Sequence, residues 1–94
     1  MITKGFTADY QDVVTVGSLF SLNSINYISS YIYVYGTAGD IVYKNKYGAL
    51  CYAPSAALGY HPISAIEIVS SGSVNGVTRT TGATGMSWLA ADNP

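Results

Sequence analysis

Between Tyr27 and Tyr35 the chain alternates with a period of two. Tyr27, Ser29, Tyr31, Tyr33 and Tyr35 fall on one parity, and Ile28, Ser30, Ile32 and Val34 on the other. Successive side chains of an extended strand point to opposite faces, so this pattern predicts a strand with a tyrosine face and an aliphatic face. Tyr and the β-branched residues fit such a pleated surface. Gly36-Thr37-Ala38-Gly39-Asp40 then reads as a tight turn, because glycine accepts the positive φ that reversals need. Ile41-Val42-Tyr43 resumes the extended run, Asn45-Lys46-Tyr47-Gly48 reverses it again, and Ala49 to Ala53 supplies a third strand. The stretch therefore predicts a β-meander, which we take as the core of the fold.

A chain of 94 residues makes one small domain. It buries only roughly 60–65% of its unfolded surface, so its core is thin. Charged residues are 10% of the total, where soluble domains carry about 25%. Four Lys and Arg against five Asp and Glu leave little repulsion between copies. The expectation is a surface buried against other chains. The alternative is a monomer coated with Ser, Thr, Asn, Gly and Tyr hydroxyls. Near-zero net charge speaks against nucleic-acid binding, which needs a basic patch to neutralise phosphates. The single Cys51, between Leu50 and Tyr52, reads as a small buried hydrophobe and forms no internal disulfide. Lys4 leads into Gly-Phe-Thr-Ala-Asp, which is no leader sequence, and no run approaches roughly 20 apolar residues, so no membrane association is expected.

Around the meander the chain divides into an arm over residues 1–11, a β domain over 12–91 and a tail over 92–94. Phe6 and Tyr10 are the anchors of the arm. Asp12 to Val16 reads as a strand ended by Gly17, and Ser18 to Asn26 as a loop or one short helix, with Phe20 or Leu22 plugging an end of the core. Pro54 to Pro62 is a connection in which Ser55 to Leu58 suit one helical turn ended by Gly59. Ile63 to Val69 is the next strand, with Ile63, Ala65, Glu67 and Val69 on one face. The stretch 70–85 is turn-rich and reads as a projecting loop or hairpin. Asn75-Gly76 at its tip suits a type I′ turn, and Arg79 falls on the return limb. Met86 to Ala90 closes the domain as a strand, with Trp88 as a core or interface anchor. The fold class is thus all-β: a small single-domain sandwich or barrel, jelly-roll-like, with an extended N-terminal arm.

Few residues suggest chemistry. His61, between Tyr60 and Pro62, would have to serve any Ser-His-Asp or Cys-His site, and a lone histidine in a turn is more often structural. No Cys/His pair has metal spacing, and the glycine-rich pieces lack the Gly-Lys-Ser/Thr ending of a phosphate loop. We therefore expect no catalytic residues, cofactor, metal or small-molecule ligand. The Tyr31, Tyr33 and Tyr35 row fits a half-solvated sheet face or a protein interface, and after those a sugar-stacking or base-stacking platform.

From Tyr35 to Leu89 the sequence resembles the C-terminal part of the small auxiliary decoration or cement proteins of tailed-bacteriophage capsids. The matching positions are Gly36, Gly39 and Asp40 leading a strand; Gly59, Tyr60, Pro62 and Ile63 entering another; and Thr80, Thr81 and Gly82 before the apolar Met86 to Leu89. Gly72 to Arg79 departs from that pattern as an insertion. The resemblance implies a non-catalytic β domain, made in the host cytoplasm and bound to the capsid surface of a virion. It would sit in several copies around a local symmetry axis, as a homo-oligomer with a trimer favoured, and tie neighbouring copies of the major capsid protein together. Candidate interface residues are Phe6, Tyr10, Tyr31, Tyr33, Tyr35, Val74, Val77, Arg79 and Trp88. The alternative function is a carbohydrate-binding adhesin module on the virion, using the Tyr31/Tyr33/Tyr35 face.

Overall fold

The computed structural model describes residues 10–22 and 24–90. They form β1 (Tyr10–Val13), β2 (Ser21–Leu22), β3 (Ile25–Asn26), β4 (Tyr31–Thr37), β5 (Gly39–Lys44), β6 (Leu50–Ala56), β7 (Gly59–His61), β8 (Glu67–Val69), β9 (Ser71–Val74), β10 (Val77–Thr80) and β11 (Thr84–Ala90). No helix occurs among the described residues. A four-stranded sheet runs β1-β11-β4-β7 and a three-stranded sheet β6-β5-β8; β9-β10 and β2-β3 are two-stranded hairpins. Every pairing is antiparallel. The sheets do not close into a barrel.

Residues of both larger sheets meet in one core. Ile32 and Val34 of β4 and Met86, Trp88 and Ala90 of β11 enter from the first sheet, and Ile41 and Ile68 from the second. Trp88, 2% exposed, is the centrepiece. Phe20 stacks on it at 5.3 Å and Tyr27 leans on it at 5.7 Å. Of the two residues that the sequence offers as a plug, Phe20 fills one end of the core and Leu22 packs against it half-buried. Ser29 is the buried polar clamp: its hydroxyl donates to Ile63 O at 2.6 Å and accepts from Ala65 N–H at 2.9 Å. A buried hydroxyl satisfied on both sides avoids a desolvation penalty of about 1–3 kcal/mol.

The predicted meander holds only in its second half. β5 and β6 pair as expected, but β4 and β5 belong to different sheets. The Gly36 to Asp40 stretch is a corner, where a nearly continuous strand leaves one sheet and enters the other. Neither Gly36 nor Gly39 has a positive φ. Each is required by proximity instead. A Cβ on Gly36 would stand 2.4 Å from Thr84 O, and one on Gly39 2.6 Å from Ala83 N. The crossing chain is fastened there, since Gly82 and Ala83 N–H both donate to Asp40 O. Gly85, at φ +65°, sits where the β11–β4 register slips between Thr84 and Met86.

Other boundaries move for local reasons. The strand expected at Asp12 to Val16 runs from Tyr10 to Val13, so it begins inside the expected arm. Residues 1–9, with Phe6, and the 91–94 tail lie outside the described residues. The 18–26 stretch is a small hairpin, not a helix, turned with Ser24 at φ 64°. β6 continues through Pro54 and Ser55 to Ala56, so no helical turn forms. Residues 63–66 are irregular and only Glu67–Val69 is strand, because the Ser29 clamp holds Ile63 and Ala65 out of a ladder. The 71–80 hairpin closes on Asn75 and Gly76, at φ 52° and 80°, as the Asn-Gly pair predicts. Its base packs on the second sheet, where the Thr81 hydroxyl donates to Val69 O at 2.6 Å and accepts from Val42 N–H at 2.9 Å.

The corner gives a direct test. Gly36→Ala drives a Cβ into a carbonyl oxygen that cannot move aside, and should cost about 2–3 kcal/mol or more. Gly48, at φ +80° with open space around it, should lose about 1 kcal/mol when changed to alanine. Urea unfolding of both variants checks the order.

Candidate functional site

The outward face of the four-stranded sheet carries the tyrosines. Period-two alternation on β4 puts Ile32 and Val34 in the core and Tyr31, Tyr33 and Tyr35 outside. Tyr27, on the same sequence parity, is instead buried, because residues 28–30 are not strand and the alternation begins at Tyr31. Tyr60 joins the row from β7. Its ring stacks on Tyr33 at 4.5 Å and meets Tyr31 edge-on at 6.2 Å, while Tyr33 and Tyr35 lie 5.9 Å apart. Tyr60 is 59% exposed and Val13, across the sheet on β1, is 62% exposed. Sequence reasoning placed Tyr60 in a connection; the short alternation Gly59-Tyr60-His61 was the available signal.

The face is nearly free of charge. Asp12 is the one Asp, Glu, Lys or Arg on the strands of this sheet, and its carboxylate accepts the Val13 N–H at 2.8 Å. The described cations lie on the other sheet and its hairpins. Lys44 pairs with Glu67 at 3.6 Å, Lys46 lies over the Tyr47 ring, and Arg79 lies 4.6 Å from the Tyr52 ring centre.

The remaining candidates separate. Trp88, predicted as a core or interface anchor, is buried in the core. Val74 and Val77 face each other beside the hairpin tip, and Arg79 is held over Tyr52. Tyr10 stands on β1 opposite Ala90. His61 closes its own turn: Nε2 lies 2.6 Å from Ala57 O, and because a carbonyl can only accept, that nitrogen is the donor. No group of three or more His, Cys, Asp or Glu gathers among the described residues.

A second surface lies at the Phe20 end. Leu19, Phe20, Asn26, Tyr27, Ile28 and Ile66 line an apolar groove of about 220 Å³. Leu19 and Ile25 are exposed beside it. Its lining holds no ionisable group other than the Tyr27 phenol. The signal for it in sequence is weak, since the three segments that build it are separated by other strands.

With this geometry in hand, comparison with known proteins adds nothing: no family model, curated protein or solved structure matches the chain.

A tuned titrating cluster holds the corner. Asp40 accepts Ser55 N–H at 2.8 Å and the Tyr52 hydroxyl at 2.9 Å. Those bonds, the Ser55 one foremost, hold its carboxyl below the ordinary 3.8, and the carboxylate raises the Tyr52 phenol in turn. A carboxyl depressed in the folded state favours folding above its ordinary value, and that contribution is lost as pH falls through the folded value. Thermal midpoints of the native chain should therefore drop more steeply below pH 3.8 than those of Asp40→Asn. Parallel acid limbs would show that the carboxylate contributes nothing.

Proposed function

We propose that this chain is a non-catalytic structural protein of a tailed-phage virion, a decoration or cement protein bound to the major capsid protein. In this reading the four-stranded and three-stranded sheets are the two layers of a jelly-roll-like sandwich, which their shared core supports. The observation that carries the reading is the charge-poor exterior divided into two apolar surfaces of different kinds. Permanent interfaces are more hydrophobic than transient ones and resemble a cut core. The Leu19–Ile66 end, continuous with Phe20 and Tyr27 of the core, has that character and is the docking surface. Several copies, a trimer favoured, engage the lattice together, so weak single contacts hold by avidity. Val74 and Val77 beside the hairpin tip reach a neighbouring chain.

Cosedimentation with empty phage heads tests this. The native protein should pellet with the heads, and Leu19→Asp with Ile25→Asp should stay in the supernatant while remaining folded. Light scattering should give the mass of three chains. A native protein that ignores heads of every type offered and stays a monomer at high concentration would overturn the reading.

A further inference from the structure

β6 is the free edge of the three-stranded sheet. Asn45 N–H bonds to Ala49 O at the turn, and the ladder alternates from there. Tyr43 and Ile41 therefore exchange bonds with Cys51 and Ala53, while Leu50 and Tyr52 turn their N–H and C=O groups away from β5. Those four groups have no partner among the described residues. The other sheet edges are closed or short. Gly17 and Phe20 N–H bond to Ile68 and Ile66 O on the β8 side, the Asp12 carboxylate takes Val13 N–H on β1, and β7 has three residues. β6 has seven, none of them charged. The β9–β10 hairpin roofs the space beside it. Cross-strand pairing puts Gly72, Val74, Val77 and Arg79 on one hairpin face, and the exposed Ser71, Ser73, Thr78 and Thr80 on the other. Gly72 meets Leu50, whose Cδ1 stands 2.7 Å from where a Cβ would be, and Arg79 lies 4.6 Å from the Tyr52 ring centre. The hairpin thus steps from β8 over β5 to β6. The Val74–Val77 pair is two residues further out, about 6.6 Å, and the next strand position lies about 4.8 Å beyond β6. Val74 and Val77 overhang that position.

We infer that this edge receives the 1–9 segment of a neighbouring copy as an added strand. Main-chain bonds to Leu50 and Tyr52 supply affinity, and the roof supplies the side-chain pocket that fixes register. In an extended strand Ile2, Lys4 and Phe6 share one face and Thr3, Gly5 and Thr7 the other. Phe6, the one aromatic of the segment, is the side chain that suits the Val74–Val77 roof. Pro54, two residues past Tyr52, has no N–H to offer, which limits the addition to a short segment. Nine extended residues span up to about 30 Å. That exceeds the two shorter dimensions of the domain, 26 and 23 Å. The donor is a neighbour because the segment leaves from the wrong side of its own domain. β1 lies on the β8 side, where Gly17 bonds to Ile68, and β6 lies on the other. Donor and acceptor surfaces differ, so the contact is head-to-tail and closes as a ring, of which a trimer is one. The inference rests on the self-association in the proposed reading and not on the capsid.

Amide hydrogen exchange followed by NMR tests this on the full chain. Leu50 and Tyr52 N–H should exchange at least tenfold more slowly in the native protein than in Phe6→Asp or Val77→Asp. Cys51 and Ala53 N–H, bonded to β5, should stay protected in all three, which verifies folding; if Val77→Asp does not fold, Phe6→Asp decides. Light scattering should give one chain for each variant, and excess synthetic peptide of residues 1–9 should lower the mass of the native assembly. Equal exchange at Leu50 and Tyr52 in the native protein and Phe6→Asp would overturn the inference. Protection that survives dilution to single chains would also overturn it, by giving the edge to the chain's own segment. Protection that appears only when empty phage heads are added would do the same, by giving the edge to the capsid protein. Phe6-dependent protection in an assembly that ignores phage heads would leave the added strand standing and remove the virion reading instead.

Discussion

The structure depends on two backbones passing almost in contact at the Gly36–Gly39 corner. Thr84 O and the Gly82–Ala83 peptide fill the space where glycine has no side chain. This lets β4 and β5 follow each other with one intervening residue and still serve different sheets. The 82–85 crossing supplies the hydrogen bonds that the sharp change of direction would otherwise lose, two of them ending on Asp40 O. Asp40 then turns its carboxylate the other way, to Ser55 and Tyr52, and Arg79 lies over Tyr52. A single acidic residue therefore links the corner, the end of β6 and the β9–β10 hairpin. Both faces of the core are set by that corner, since Ile32 and Val34 lie before it and Ile41 after it.

Local signals were legible in the sequence and long-range ones were not. The β5–β6 hairpin and the Asn75-Gly76 turn are written in a few adjacent residues and formed as predicted. A plug at Phe20 or Leu22 was readable because a large apolar side chain in a polar stretch has few other roles, and the choice between the two is made by Trp88, on which Phe20 stacks. The Gly36 to Asp40 stretch misled because glycine serves two physical ends. Tight turns use its positive φ, and close crossings use its missing Cβ. The letters are the same, and the choice is made by Thr84, more than forty residues downstream. The 18–26 stretch, read as a loop or one short helix, took neither form for a related reason: the spacing of Leu19, Leu22 and Ile25 weighs little where Ser and Asn compete for the backbone, and Ser21–Leu22 pairs with Ile25–Asn26 instead. A lone phase shift near Ser29 likewise stopped the strand at Tyr31 and sent Tyr27 into the core.

The same division applies to the candidate site. The alternation that puts Tyr31, Tyr33 and Tyr35 on one face is a local fact and was legible. Their companions were not, because Tyr60, Ser87 and Val13 arrive from three other strands whose order no local pattern encodes. Trp88 could have been core or interface on sequence grounds. Its stacking with Phe20 and Tyr27 decides for the core. The scarcity of charge was visible from composition, but its distribution is a tertiary property. Lys44, Lys46 and Arg79 each meet a carboxylate or an aromatic ring on the second sheet and its hairpins, which leaves the first sheet with Asp12 alone.

That segregation explains why two apolar surfaces on one small domain need not serve one purpose. An aliphatic groove continuous with the core gains from burial in proportion to area and makes few demands on direction. A row of phenols does the reverse, since each ring must be stacked and each hydroxyl hydrogen-bonded before its burial is favourable. The first gains from burial against any apolar surface, and the second only from contacts that order each ring and satisfy each hydroxyl. Ser87 shows the ordering that such a row demands: it is 5% exposed between Val13 and Tyr33 on the neighbouring strands, and the Tyr33–Tyr60 stack continues the line across the sheet.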